Sequence, residues 1–460
     1  MSVPILTAIS DAGCEAELAT AMTDVEHGVQ IVRRCVDLAD ALAAAAAGLA
    51  KAVVVSADLR RLDRDSLSQL ALARVAVVGL VPLGDDAGER RLRQLGVQHL
   101  VPYGSSAAEV SAAVMTAVGD LAAVDPGVVM VADGVIDPVT TAGVNPAIGW
   151  SDPVGVVAPA SAAPAEITAI TSASMPPATA TPRSARDRPV ASMGDGRIVA
   201  VWGPAGAPGR STVAVNLAAE FADLGHSTLL VDIDTYGGAV AQLLGVLDEA
   251  PGFAAACRLA NTGDLDAERL AGVAVDVRPC LRALTGITRP QRWLELRPAA
   301  VRAVLELVRV FASITVVDCG FCLEQDEELA YDTAAPRRNG ATLTALTVAD
   351  VVLGVAAADP VGLARYVRAS PDCAALSAAL PVTVVNRLRK GVVGPGRPRR
   401  EVAAALDRYA GITARHFVPE DRDALDATLA AGRLLVEAAP RSPARAAIRA
   451  IAVELVGALH

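Results

Sequence analysis

The sequence predicts an α/β protein made of two parallel-sheet halves joined by a tether of different composition. Three observations carry this. Short apolar runs alternate with Ala/Leu-rich helical patterns over residues 1–122, the alternation collapses over 123–196, and it resumes over 197–460. A chain of 460 residues has room for two or three domains, each with its own core.

In the first half, residues 4–9, 52–57, 75–81 and 98–101 read as strands, and 15–22, 36–47, 66–73, 88–95 and 107–121 as helices. Four strands and five helices in so short a stretch resemble the receiver domain of two-component signalling, a doubly wound fold of five β-α units in whose order 52–57, 75–81 and 98–101 stand as the third, fourth and fifth strands. That resemblance implies an acidic pair after the first strand, a phosphoacceptor aspartate after the third, a hydroxyl after the fourth and a lysine after the fifth. Here Ser10-Asp11 offers one acid and Asp58 is the candidate acceptor. The fourth strand runs into Val81-Pro82 and the fifth into Pro102-Tyr103, with no lysine. The expectation is a pseudo-receiver used for docking or dimerisation; phosphorylation of Asp58 is the alternative.

Residues 123–196 are rich in Pro, Ala, Ser and Thr. Such a composition buries too little apolar area to offset its ordering entropy, so a flexible linker is expected. The whole chain carries a net charge of -10, which argues against broad nucleic-acid binding. Its start lacks the basic flank and apolar core of a signal peptide, and no apolar run reaches the roughly 18–20 residues of a membrane span. Seven scattered cysteines do not suggest a disulfide framework. The expected location is cytoplasmic, with peripheral association at the inner membrane face or cell pole as an extension of that reading. Lys51 and Lys390 are the only lysines; every other basic residue is arginine.

The second half opens with an apolar strand pattern, 197–202, followed by Gly203-Pro204-Ala205-Gly206-Ala207-Pro208-Gly209-Arg210-Ser211-Thr212 and a helical pattern over 213–224. Strand, Gly-rich loop and helix form the context of a phosphate cradle. Backbone N–H groups wrap the anion there, and the helix N-terminus adds its dipole. Two later apolar strands end in carboxylates, one at Asp232 and Asp234, the other at Asp318. In a doubly wound sheet these converge beyond the carboxyl ends of the strands, where acids can hold Mg²⁺ through water and orient an attacking water.

Residues 197–460 are similar to the MinD/ParA branch of P-loop ATPases, whose deviant loop reads roughly K-G-G-x-G-K-T-T. Gly206, Gly209, Ser211 and Thr212 match that loop, and Val213 to Ala218, with Asn216, match the run after it. Asp232 and Asp234 fall on the first switch segment and Asp318 on the Walker B position. Asp350 and Asp359-Pro360 fall on the next strand and loop, Asn386 on the adenine-side strand, and Pro419 with Gly432 on the terminal strand–helix region. The resemblance implies ATP and Mg²⁺ as cofactors. Gly206, Gly209, Arg210, Ser211, Thr212, Asn386 and Pro419 would face the nucleotide. Ser211, Asp232 and Asp318 would face the metal, and Arg210 and Asp234 would take catalytic positions. A receiver-like half joined to such a domain resembles the CpaE/TadZ localisation factors of Flp/Tad pilus assembly. That implies a homodimer that works with pilus or secretion machinery and reads no specific nucleic-acid sequence.

The departures are as informative. Ala205 and Arg210 stand where the family carries lysines, Ala207 replaces a glycine, and Pro208 removes an N–H donor. Arginine can still grip phosphate bidentately, but its planar fork is not a compact ammonium. The expectation is a weak or absent ATPase in which ATP acts as a dimerisation switch. An active partitioning or septum-positioning ATPase and a nucleotide-free scaffold are the alternatives. Cys319-x-x-Cys322 lacks a second ligand pair and reads as ordinary switch-loop cysteines rather than a zinc or redox site. The basic stretch 387–400 reads as a solvated loop, with DNA, anionic lipid or an acidic partner as alternatives. Residues 443–459 read as a closing helix rather than a membrane-binding tail.

Overall fold

A computed structural model of the chain describes residues 2–22, 28–123, 196–206, 209–246, 251–325, 337–379, 381–413 and 415–459. Residues 124–195 of the expected linker, with Ala207 and Pro208, lie outside the described residues; Ala123 ends the helix that begins at Ala107.

The first half runs β1 (Val3–Ala8), α1 (Ala12–Ala21), β2 (Val29–Arg34), α2 (Leu38–Ala46), β3 (Ala52–Ser56), α3 (Arg64–Leu72), β4 (Ala76–Val81), α4 (Asp86–Leu95), β5 (His99–Pro102) and α5 (Ala107–Ala123). Its strands pair in parallel in the order β2-β1-β3-β4-β5. This is a doubly wound arrangement with helices on both faces. Asp11, Asp37, Asp63 and Asp85 accept N–H groups at the starts of α1 to α4, which fixes where those helices begin. Strand β2 was not marked by the apolar pattern. It is an edge strand, and past Val29 its residues are half-buried or exposed, so Gln30, Arg33 and Arg34 are tolerated there.

The second half holds β6 (Arg197–Trp202), α6 (Arg210–Asp223), β7 (Thr228–Asp232), α7 (Val240–Leu243), α8 (Gly252–Thr262), α9 (Ala267–Val273), β8 (Val275–Arg278), β9 (Leu281–Leu284) and α10 (Pro298–Phe311). It continues with β10 (Ile314–Asp318), α11 (Gly340–Val348), β11 (Val351–Ala357), α12 (Pro360–Leu376), β12 (Val382–Leu388), α13 (Pro398–Ala410), β13 (Arg415–Pro419), α14 (Arg422–Ala431), α15 (Leu435–Ala438) and α16 (Pro443–Leu459). The sheet order is β13-β12-β11-β6-β10-β7-β9-β8, parallel except for β8 against β9. Ile198, Ala200 and Trp202 bury against one helical layer and Val199 and Val201 against the other, so β6 is covered on both faces. The chain leaves β6 toward β7 and later returns to its other side at β11, which makes the carboxyl end of β6 a topological switch point.

Helix α16 packs on α6 through Ile448, Ile451 and Leu455. Glu220 of α6, 1% exposed, accepts from Arg445 Nε at 2.7 Å and Arg449 Nη1 at 2.8 Å, and Arg449 also reaches Asp223 at 2.6 Å. Among the described residues no helix is long and apolar enough to cross a membrane.

The two sheets belong to one compact unit. They meet where α3 and α4 lie on α8. Arg64 Nε donates to Ala260 O, Arg91 Nε to Thr262 O and Gln94 Nε2 to Leu265 O, each at 3.0 Å, and Arg297 pairs with Asp65 at 3.0 Å.

Candidate functional site

Helix α6 begins at Arg210, three residues earlier than the helical pattern suggested. Arg210, Ser211 and Thr212 therefore form its first turn, where N–H groups have no intrahelical acceptor and point toward the loop. The turn is reached through Gly206 (φ +72°) and Gly209 (φ +95°), both in the left-handed region that favours glycine. Gly209 also lies tight under Asn386 of β12: a Cβ there would fall 2.1 Å from Asn386 Nδ2. Gly209→Ala is expected to cost about 1–3 kcal/mol through backbone strain and collision. A thermal melt checks this, and adding Asn386→Ala should restore only the collision part.

The Arg210 side chain turns back into the loop. Its Nη1 donates to Gly203 O at 3.1 Å and its Nη2 to Asp234 Oδ2 at 3.0 Å, with both side chains nearly buried. Asp234 also accepts the N–H of Tyr236 at 2.8 Å and of Gly237 at 3.3 Å. Asp232 accepts from Asp234 N and Val240 N, each at 3.1 Å. Burial outweighs these bonds, and the neighbouring Asp234 charge adds to it, so the Asp232 carboxyl is pushed up to about 6.

Asp318 stands in register beside Asp232 on the adjacent strand. It is 1% exposed, and neither carboxyl oxygen has a hydrogen-bond partner among the described residues. The Ser211 hydroxyl is near enough to favour the charged form, but it makes no bond of normal geometry. Burial and the Asp232 charge dominate and hold Asp318 well above the usual carboxylate range. A buried carboxyl left this way needs a proton or a cation. Among the described residues no three His, Cys, Asp or Glu side chains form a metal cage, so a cation here would keep other ligands.

The structure thus gathers Gly206, Gly209, Arg210, Ser211, Asp232, Asp234 and Asp318 around the carboxyl ends of β6, β7 and β10, with Asn386 packed against the loop. Thr212 shares the first turn, and its carbonyl accepts from Asn216 Nδ2 at 2.9 Å. Pro419 lies apart, on edge strand β13, three strands from β6.

Beside the acids, Tyr236 packs against Phe321 with ring centroids 4.7 Å apart and the planes tilted by 43°, lies under the Arg338 guanidinium at 3.9 Å and donates its hydroxyl to Asn339 at 2.8 Å. Cys322 accepts from Asn339 Nδ2 at 3.3 Å, while Cys319 is fully buried and its thiol is pushed well up by burial and Asp318. Arg387, Arg389, Lys390, Arg397, Arg399 and Arg400 are all exposed. Arg399 covers Phe417 at 5.0 Å, and Arg389 faces Glu420 at 3.6 Å.

At the corresponding switch point of the first sheet, Asp11 is occupied as the α1 cap, taking the N–H of Gly13 and Cys14. Ser56, the last residue of β3, accepts from Ser10 N at 3.0 Å, and Asp58 is exposed two residues beyond the strand.

Sequence spacing missed Arg365. Its Nη1 donates to Ala205 O at 3.3 Å across 160 positions, and no local pattern marks so distant a contact.

Compared with known proteins, residues 196–259 match the ParA family model, described as NUBPL iron-transfer P-loop NTPase. No curated protein matches the chain. Among solved structures, the cell division ATPase MinD of Pyrococcus furiosus is 19% identical, covering 57% of this chain and 99% of that one, with a TM-score of 0.44. A ParA family ATPase from Chlorobium tepidum is 17% identical over 56% of this chain and 98% of its own, with a TM-score of 0.47. The septum site-determining protein MinD of Pyrococcus horikoshii, complexed with Mg-ADP, is 18% identical over 57% and 98%, with a TM-score of 0.45. The segment holding β6, the glycine loop, α6, Asp232 and Asp234 is the part of this chain that is similar to the ParA family of P-loop NTPases.

Proposed function

We propose that the second half is a nucleotide-operated switch that binds ATP with Mg²⁺ at the β6–α6 loop and turns it over slowly or not at all. The observation that carries this is Asp318: a buried carboxyl whose two oxygens have no hydrogen-bond partner among the described residues, beside a glycine loop and a helix N-terminus. The residues fit the group. Ser211 and Asp318, the latter through water, with Asp232 beside it, would hold Mg²⁺, which supplies charge neutralisation for the phosphates. Gly206, Gly209, Ser211 and Thr212 would offer backbone donors. Arg210 would face phosphate by exchanging Asp234 for it, and Asp234 would then be free to orient water. Asn386 and Pro419 would lie toward the base.

Slow turnover follows from the same geometry. Arg210 and Asp234 already satisfy each other at 3.0 Å, so neither is poised for in-line chemistry until that pair opens. In this reading the chain is a CpaE/TadZ-like localisation factor. Its 1–122 half serves as a pseudo-receiver for docking, the 123–196 segment as linker and the 197–460 half as a dimerising switch, with pilus or secretion proteins as partners. The occupied Asp11 cap supports docking over phosphotransfer in the first half.

Titration calorimetry with Mg-ATP, beside a phosphate-release assay, tests the reading on wild type and Arg210→Ala. Heat of binding is expected for wild type, with affinity lowered about tenfold or more in the variant and little phosphate released by either. Absence of heat with every adenine nucleotide would make the domain a scaffold. Rapid release that is lost in both Arg210→Ala and Asp234→Ala would make it a working ATPase.

A further inference from the structure

We propose that Arg365 is a second phosphate-contacting cation of this loop, set over its outer side. The inference rests on the nucleotide-binding reading above and adds a residue to it. Helix α12 starts at Pro360, capped by Asp359, directly after β11, and β11 pairs with β6. Its second turn brings Arg365 back to the loop that follows β6. There the guanidinium meets Ala205 O at 3.3 Å, and its Nη1 sits 2.2 Å from where a Cβ on Gly206 would be. Glycine at 206 is thus needed twice, for its φ of +72° and for the space the guanidinium fills.

The charge balance explains why a second cation belongs here. Among the described residues, the guanidinium bonded to the Asp232, Asp234 and Asp318 group is that of Arg210, and it is tied to Asp234 and Gly203 O. A polyphosphate brings further negative charge, and a divalent ion offsets only part of it. Ala205, which faces solvent, contributes no charge of its own. Arg365 is exposed and makes one long hydrogen bond, to a neutral carbonyl, among the described residues. Exchanging that bond for a charge-assisted, forked contact with phosphate oxygens is favourable and needs only side-chain rotation.

The test uses the full chain, with titration calorimetry of ATP, ADP and AMP in Mg²⁺ and of inorganic tripolyphosphate. Wild type is compared with Arg365→Ala and Arg365→Lys, with thermal melts alongside. Arg365→Ala should weaken ATP about 10- to 50-fold, ADP less, and leave AMP unchanged, without altering the melt. Arg365→Lys should recover part of the loss, and tripolyphosphate should weaken in parallel with ATP. Wild-type affinity for ATP in Arg365→Ala, or equal losses for AMP and ATP, would reduce Arg365 to a loop clamp and overturn this proposal alone. Failure of wild type to bind either nucleotide or tripolyphosphate would overturn both proposals. Arg365-dependent binding of tripolyphosphate without nucleotide binding would keep this one and remove the other.

Discussion

Asp318→Asn is expected to raise the melting temperature of the metal-free protein while abolishing Mg²⁺-dependent nucleotide binding. Among the described residues Asp318 is a buried acid with no hydrogen-bond partner of normal geometry, standing beside the equally buried Asp232. Holding charge there costs stability, and an amide of the same shape removes the charge and can donate toward Asp232. A gain of about 2 kcal/mol, or roughly 4–8 °C for a domain of this size, is expected in EDTA at pH 7.

The pH dependence carries the same signature. A carboxyl whose folded pKa lies above its unfolded value binds its proton more tightly in the folded chain, so its contribution is complete below the unfolded value. For Asp232 that contribution is lost as pH rises through about 6, and Asp318 acts in the same direction. Metal-free wild type should therefore gain stability as pH falls from 7 to 5, and Asp318→Asn should lose the share of that gain due to Asp318 while keeping the share due to Asp232. A variant that melts below wild type at pH 7 would mean that the Asp318 charge is already compensated without metal.

Glu220→Ala should destabilise the second half by about 3 kcal/mol, the larger of the two stability effects. Its carboxylate is 1% exposed and takes both Arg445 and Arg449 from α16. Removing it leaves two guanidinium groups at the α6–α16 contact with Asp223 as their one remaining carboxylate among the described residues, and Pro440 O as a further acceptor for Arg445. These remaining partners keep the cost at the low end for a broken buried pair. The variant should unfold at lower denaturant with little change in slope, and Arg449→Ala, at a more exposed position, should cost less. Equal midpoints for Glu220→Ala and wild type would show that α16 is held by its apolar face alone.

How much of this was legible in the sequence differs by element. Strands β3, β7 and β10, buried throughout, and β6, buried after Arg197, announce themselves as apolar runs because both faces of the sheet are covered. Edge strand β2 does not, since water tolerates its Gln and Arg side chains. The glycine loop and the three aspartates could be read because each sits at a fixed offset from a strand end. What the loop residues do to one another could not. That Arg210 spends its donors on Asp234 and Gly203, that Asp318 is left without a partner, and that Arg365 closes over Ala205 all depend on side-chain packing between segments far apart in the chain.

The join between the two sheets is made chiefly by side chains of the first half reaching main-chain carbonyls of the second, at Ala260, Thr262 and Leu265. A carbonyl is present whatever residue carries it. The bonds themselves therefore do not depend on which side chain stands at those positions, provided the chain turns in the same place: exposed Thr262 is free to drift, while Ala260 and Leu265 are held instead by their burial in the core. That turn is set by Gly263 (φ +75°), where a Cβ would fall 2.8 Å from Leu95 Cγ and 2.9 Å from Arg91 O. Sequence divergence along this seam should spare the glycine and the small or apolar core positions 260 and 265 while varying exposed Thr262, with Arg64, Arg91 and Gln94 holding their identities on the opposite side.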